Sequence, residues 1–235
     1  MPEVRILSGG AAQGLCAALA KRFLSETGHA IGGAFGAVGA MEARLRAGEA
    51  ADLVILTRRI VEALAADGLV DPQSITDVGM VQTGVAVRRD DPQPDVSSAQ
   101  SLAKALREAD EIYLPDPVQA TAGVHFARVI DALGLAGQVA GRLRASPNGA
   151  EAMRALGETK AARAIGCTQV TEILATPGVR LVGLLPPGHR LATMYTAAVC
   201  ATSAHGAAAR ALIALLSGPG AAQQRRAAGF EDERA

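Results

Sequence analysis

The stretch Val4–Gly14 reads VRILSGGAAQG, and the interpretation of the whole chain starts from it. Its short apolar beginning predicts a buried strand, and the residues that follow predict a helix with Leu15, Leu19 and Phe23 on one face. Small residues in the turn allow close approach to the backbone, and the first N–H groups of a helix lack internal partners. Because these groups and the helix dipole favour an anion, we interpret the turn as one wall of an anion-binding cleft. A tight strand-to-helix connection would use the same residues.

Composition excludes several classes of partner. The chain has 235 residues, enough for one large domain or two small ones, with 23 Lys and Arg against 23 Asp and Glu. The resulting net charge of +0 argues against a nucleic-acid partner, and the absence of Trp argues against stacking platforms. No apolar run reaches membrane-spanning length, so we expect no membrane insertion.

The first residues and the cysteines suggest a cellular compartment. Residues 1–5 lead directly into a strand without the features of a signal peptide, which predicts a cytoplasmic protein, or a periplasmic one if a signal has been removed. Only an exported protein would have a transporter as partner. Cys16, Cys167 and Cys200 are widely spaced without metal-ligand spacing, so we expect reduced core thiols and no metal site. No Walker-type loop is present, and we expect no cofactor.

One pattern recurs along the chain. Strands are predicted to end in small, hydroxyl or amide residues where a helix begins, at Ser8, Gly36, Thr121, Asn148 and Thr168. This βα alternation predicts a mostly parallel sheet covered by helices. In open α/β sheets ligands bind beyond the carboxyl ends of the strands, so these turns are candidate ligand contacts.

Two longer β-rich stretches, Val78–Arg88 and Leu191–Cys200, do not fit this alternation. We interpret them as strands that cross between two lobes. The predicted first lobe is discontinuous, residues 1–83 and 195–235, and the second comprises residues 84–194.

With this pattern in view, the chain resembles the type II periplasmic-binding-protein superfamily, most closely its molybdate-binding branch, over about residues 4 to 231. The segments that carry the resemblance are Gly9–Ala11, Phe35–Gly39, Gly48–Ile55, Asp116–Pro117 with Ala122–Gly123, and Gly218–Pro219 with Gly229–Phe230. The resemblance implies two α/β lobes with mostly parallel sheets, joined by two crossing hinge strands, and a ligand clamped between them.

The resemblance also implies where ligand contacts fall. Oxyanion contacts would be made at Ala11 or Gly10, at Val38 and Gly39, at Ala122, and at Cys167 or Thr168. Molybdate binders commonly have serines in the first two loops and a tyrosine in the last, where this chain has Ala11, Gly39 and Cys167. Since a tetrahedral oxyanion needs several converging donors, an organic polycarboxylate suits these residues better than molybdate.

The predicted function is therefore a binding protein for a small anion. The complete set of predicted ligand-binding residues is Ser8, Gly9, Gly10, Ala11, Gly36, Ala37, Val38, Gly39, Thr57, Thr121, Ala122, Gly123, Asn148, Cys167, Thr168 and Gln169. The alternative is a cytosolic isomerase, because one enzyme of the superfamily, aconitate isomerase, shifts a proton and a double bond on a tricarboxylate.

An isomerase would need an acid/base group, for which Cys167, His125 and Asp116 are candidates. Cys167 at a strand end beside a helix N-terminus predicts a lowered thiol pKa, although it could equally fill a tight turn. His125 could be a surface or satisfied histidine, and Asp116 a turn or cap residue. Glu172, within a helix, is expected to be solvated.

Overall fold

The computed structural model describes residues 1–231. In chain order its strands and α-helices are β1 (Glu3–Gly9), α1 (Gln13–Thr27), β2 (Ala30–Gly36), α2 (Val38–Arg46), β3 (Leu53–Thr57), α3 (Arg58–Ala66), β4 (Thr76–Arg88), α4 (Ala99–Glu108), β5 (Glu111–Pro115), α5 (Thr121–Ala132), α6 (Ala136–Val139), β6 (Leu143–Ser146), α7 (Gly149–Glu158), β7 (Ala164–Gln169), α8 (Val170–Ala175), β8 (Val179–Leu184), β9 (Ala192–Val199), α9 (Gly206–Ser217) and α10 (Ala222–Ala227). No helix within these residues has the length and apolar composition needed to cross a bilayer.

The chain divides into two compact units. Unit 1 comprises Met1–Val81 and Thr193–Ala235, and unit 2 comprises Gln82–Ala192. Both boundaries lie inside long strands, β4 and β9, two residues from the positions predicted from sequence. A boundary inside a continuous strand has no turn or composition change to mark it, so pattern alone places it only approximately.

Unit 1 is built on a sheet with the strand order β2, β1, β3, β9. The first three strands are parallel, and β9 runs antiparallel to β3. The predicted apolar face of α1 is confirmed, since Leu15, Leu19 and Phe23 are buried in the core of this unit.

Unit 2 has a second sheet, in which β7, β5 and β6 are parallel and β4 pairs antiparallel with β7 and β8. Neighbouring residues of β7 belong to different core clusters: Ile165 and Cys167 pack with α4 and α5, whereas Ala164 packs with α7. This alternation is the period-two pattern of a strand covered on both faces. Two α/β units of this kind agree with the predicted fold class.

Candidate functional site

The N-terminus of α5, called its opening below, is one of the predicted ligand contacts in unit 2. Among residues 1–231 no side chain caps this helix, whose N-cap is Ala120. Thr121 is its first residue and is partly exposed, and the buried residues Ala122 and Gly123 complete the turn. The uncapped N–H groups and the positive end of the helix dipole can accept an anion here.

Gly123 determines how closely α5 approaches the end of β5. A Cβ atom added to Gly123 would lie 2.3 Å from the carbonyl oxygens of both Pro115 and Asp116. Any side chain at this position would therefore push the first turn of α5 away from the strand.

Asp116 forms the turn between β5 and α5. Its Oδ1 accepts hydrogen bonds from the backbone N–H groups of Val118 (2.7 Å) and Gln119 (2.9 Å). This is the turn role that the sequence left open for Asp116.

His125, in the second turn of α5, is partly buried. Its Nε2–H donates to the carbonyl oxygen of His189 at 2.7 Å. Since a carbonyl can only accept, Nε2 carries the proton in the neutral ring and Nδ1 is the basic nitrogen. His125 is therefore a partly exposed acid/base candidate whose basic nitrogen is Nδ1.

The structure contradicts the predicted reactivity of Cys167. Its side chain is fully buried inside β7, in the apolar core with Val85 and Phe126. Burial raises the pKa of the Cys167 thiol well above its usual value. The prediction of a lowered pKa was wrong because Cys167 lies within the strand, where the thiolate would be desolvated, and not at the helix N-terminus.

The prediction for Glu172 was also wrong. Glu172, in the first turn of α8, is 7% exposed, and Thr168 Oγ1 donates to its Oε2 at 2.5 Å. The backbone N–H groups of Gln169 and Gly149 also donate to the carboxylate. Burial raises the pKa of Glu172 to about 7, although these three hydrogen bonds favour the ionised form.

The opening of α7 is consequently occupied by the protein itself. Asn148 caps the helix through Oδ1, which accepts from the N–H of Glu151 at 2.9 Å, while its Nδ2 donates to the Glu151 carboxylate. Gly149, the first residue of the helix, donates its N–H to Glu172. Asn148 and Thr168, both predicted ligand contacts, are thus engaged in internal hydrogen bonds.

Gln169, at the end of β7, has a different environment. It is 2% exposed, and neither its Oε1 nor its Nε2 has a hydrogen-bond partner in residues 1–231. Thr83 lies directly opposite it in β4, is 1% exposed, and has an unpartnered Oγ1 in the same part of the chain. Unsatisfied buried polar atoms are costly, and in native structures they call for an explanation.

In unit 1 the predicted ligand-binding residue Ser8 lies inside the first strand. Ser8 is fully buried between β2 and β3, and its hydroxyl donates to the carbonyl oxygen of Gly9 at 2.9 Å. Gly10 and Ala11 follow in a buried 3₁₀ turn, Gly10–Ala12, which precedes α1.

Gly9 allows two side chains of unit 1 to converge on the strand end. A Cβ atom added to Gly9 would lie 2.8 Å from both Tyr195 Cε1 and Val38 Cγ1. Gly36 ends β2, and Ala37 is the N-cap of α2, which has no side-chain cap among residues 1–231. Val38 and Gly39 form the first turn of that helix, so the α2 opening resembles that of α5.

Thr57 is the N-cap of α3 and makes no side-chain cap hydrogen bond within residues 1–231. The next residue, Arg58, forms an ion pair with Asp77, and Thr196 Oγ1 donates to the same carboxylate at 2.6 Å. Asp77 therefore holds Arg58 against the sheet of unit 1.

The family model of the bacterial extracellular solute-binding proteins matches residues 4–231 of this chain. The chain belongs to this family. A relative, aconitate isomerase from a Pseudomonas species, is 32% identical over 184 residues, which cover 77% of this chain and 67% of the relative. The predicted resemblance to binding proteins and to an enzymatic relative is confirmed.

Solved structures of solute-binding proteins show the same fold. The periplasmic molybdate-binding protein of Azotobacter vinelandii superposes with a TM-score of 0.81 at 19% identity, with full coverage of both chains. The sulfate-binding protein SubI of Mycobacterium tuberculosis superposes with a TM-score of 0.75 at 20% identity, covering 99% of this chain and 87% of that one. The predicted type II periplasmic-binding-protein-like α/β fold is confirmed.

Sequence reasoning missed Glu172, whose pKa burial raises to about 7. A signal was nevertheless present, because Glu172 is the third helical residue after the N-cap Gln169. Glutamate at this position commonly reaches back to the N–H of the cap residue, as it does here. A glycine at position 149 was a second signal, because it indicates that another group approaches the backbone closely. That this group is Glu172 is evident only from the tertiary structure.

Proposed function

We propose that this chain binds a small organic polycarboxylate, one carboxylate of which lies at the N-terminus of α5 in unit 2. The observation that carries the proposal is the contrast within unit 2. The opening of α7 contains the carboxylate of Glu172, whereas that of α5 has no side-chain cap in residues 1–231. The same local geometry that holds an internal carboxylate at α7 suits an external one at α5.

The choice of a carboxylate over molybdate is supported by the small number of side-chain hydroxyls that remain available as hydrogen-bond donors. Ala11 and Gly39 offer no hydroxyl, the hydroxyl of Ser8 is engaged with Gly9, and that of Thr168 with Glu172. A compact tetrahedral oxyanion needs many convergent donors, whereas a larger ligand with several carboxylates spreads its charge over a wider surface with fewer donors for each group. The relative at 32% identity is named for a tricarboxylate.

A second candidate function, isomerisation of an unsaturated tricarboxylate, is favoured by that same relative. We infer that His125 is then the acid/base residue. Nδ1 would take a proton from the carbon next to a carboxylate, the double bond would shift by one position, and the proton would return to the far carbon. Cys167 is unsuited to this step because its buried thiol is protonated at neutral pH.

A thermal-shift screen tests the binding proposal, because a ligand that binds only the folded state raises Tm. We expect citrate, cis-aconitate or trans-aconitate at millimolar concentration to raise Tm, and molybdate and sulfate to have little effect. Stabilisation by molybdate alone would overturn the choice of ligand class, and no stabilisation by any anion would overturn the proposal.

The isomerase candidate is tested by NMR of a trans-aconitate solution incubated with the protein. Interconversion of cis- and trans-aconitate that His125→Ala abolishes, without loss of the ligand-induced rise in Tm, would support it. Stable trans-aconitate in the presence of a protein that binds it would leave binding as the function.

A further inference from the structure

We propose that the ligand is a hydroxycarboxylate. The side-chain amide of Gln169 forms hydrogen bonds to its hydroxyl and to the adjacent carboxylate, and the hydroxyl of Thr83 forms a third. This rests on the proposed function and narrows its ligand class. The starting point is that three polar atoms, Gln169 Oε1, Gln169 Nε2 and Thr83 Oγ1, are buried without partners in the described chain.

The two residues lie on one face of the sheet. Thr83 and Gln169 are direct partners in the antiparallel β4–β7 pair and form the outer pair, at the end of β7. Val85 and Cys167, two residues away towards the middle of β7, are also direct partners and form the inner pair. Residues two apart in a strand point to the same face, so the two pairs form one row. The inner pair is apolar and belongs to the core of unit 2, whereas the outer pair is polar.

The opening of α5 lies on the same face and at the same edge. Phe126, Val129 and Ile130 of α5 belong to the core cluster that contains Val85 and Cys167, so α5 covers this face. The helix begins after the carboxyl end of β5, which is parallel to β7. The carboxyl ends of parallel strands meet at one edge of a sheet, so the polar pair and the α5 opening are neighbours.

The amide of Gln169 presents a donor and an acceptor side by side. A fully ionised oxyanion or carboxylate can accept from Nε2 but has no proton for Oε1. A ligand with a hydroxyl next to a carboxylate satisfies both atoms at once: the carboxylate oxygen accepts from Nε2–H and the hydroxyl donates to Oε1. Thr83 Oγ1 can donate to the same carboxylate or accept from the hydroxyl, so all three atoms find partners.

Matched ligand pairs test this inference by isothermal titration calorimetry. Citrate and tricarballylate differ by one hydroxyl, as do malate and succinate. We expect the hydroxylated member of at least one pair to bind at least about tenfold more tightly, because its absence leaves buried polar atoms unpaired. Equal affinities within both pairs would overturn the inference while the proposed function stands. Failure of every carboxylate to bind would overturn the proposed function itself.

Substitutions locate the effect. Gln169→Leu is expected to abolish the preference for the hydroxylated ligand, and Gln100→Leu, an exposed glutamine of α4 in the same unit, is the control and should preserve it. Thr83→Val removes only the hydroxyl and should weaken citrate binding several-fold. Both substitutions should leave Tm of the free protein unchanged or raised, since they remove unpartnered buried atoms. A preserved preference in Gln169→Leu, or a lowered Tm in both variants, would show that these side chains serve the fold rather than a ligand.

Discussion

The hydroxyl of Thr168 donates a hydrogen bond of 2.5 Å to Oε2 of Glu172 in the interior of unit 2. The backbone N–H groups of Gly149 and Gln169 donate to the same carboxylate. Because Gly149 is the first residue of α7, the carboxyl oxygens of Glu172 satisfy a backbone N–H at the start of this helix. The protein thus contains its own example of the carboxylate recognition that we propose for the opening of α5.

Glu172 should make stability depend on pH. Its pKa is raised by burial from 4.5 in the unfolded chain to about 7 in the folded one. Between these values the folded state binds more protons than the unfolded state, so the free energy of unfolding falls as pH rises from about 5 to 7. At about 1.4 kcal/mol per pKa unit, the full effect is roughly 3 kcal/mol.

Glu172→Gln keeps an acceptor oxygen for Thr168 but cannot ionise. We expect urea unfolding between pH 5 and 8 to show a flatter stability profile for this variant than for the unsubstituted protein. The exposed Glu158, changed to Gln, is the control for charge alone and should keep the original profile. Superimposable profiles for the unsubstituted protein and Glu172→Gln would contradict the raised pKa.

A side chain at Gly149 should be strongly destabilising. The added Cβ of Gly149→Ala would lie 1.9 Å from Glu172 Oε2 and 2.2 Å from Thr168 Oγ1. Separating these groups should cost about 2 kcal/mol or more in the free energy of unfolding, measured by denaturant titration. Gly137→Ala in α6 is the matched control, because its Cβ would meet no atom within 4 Å, and it should be neutral or slightly stabilising. Equal stability of the two variants would refute the close packing at Gly149.

The thiols should be unreactive in the folded protein. Burial raises the pKa of Cys16 to about 12 and that of Cys167 well above its usual value, and burial next to Asp52 raises the pKa of Cys200 to about 12. We expect Ellman's reagent at pH 8 to label no thiol in native buffer and three after denaturation. Rapid labelling of Cys167 in the native protein, identified by peptide mass, would contradict this expectation and support the reactive thiol predicted from sequence.

Asp77 should stabilise unit 1 through two partners. It accepts from the fully buried hydroxyl of Thr196 and forms an ion pair with Arg58. Asp77→Ala should reduce the free energy of unfolding by about 1–3 kcal/mol, mainly because the Thr196 hydroxyl loses its acceptor. In the double variant with Thr196→Val the loss should be less than additive. The exposed Asp90→Ala should have little effect, and additive losses in the double variant would rule out the coupling.

The local elements and the fold class could be predicted from sequence because they depend on short-range patterns. The apolar run before Ser8 appears in the structure as a strand, and the helical spacing of Leu15, Leu19 and Phe23 as a helix. Helices begin at or within two residues of Gly36, Thr121 and Asn148 as predicted, whereas Ser8 and Thr168 lie inside strands. The parallel arrangement followed from the βα alternation, since parallel strands need helical crossovers.

The environment of individual side chains could not be predicted in the same way. Cys167 and Gln169 are two residues apart in one strand. Cys167 lies in an apolar core, whereas Gln169 lies beside Thr83, whose hydroxyl has no hydrogen-bond partner within residues 1–231. The two residues differ in position along β7: Cys167 lies under α5, whereas Gln169 lies at the end of the strand. Both β4 and α5, which form their surroundings, are distant from β7 in sequence.

From sequence alone, the order of strands and helices and the positions where helices open were determined, because hydrophobic period and turn chemistry act over a few residues. Only the tertiary structure decided which helix N-terminus holds an internal carboxylate and that the carboxyl of Glu172 is buried. Gly149 meets Glu172 across a loop, a helix and a strand, and the pKa of a group depends on the atoms that replace its water, whatever their distance along the chain.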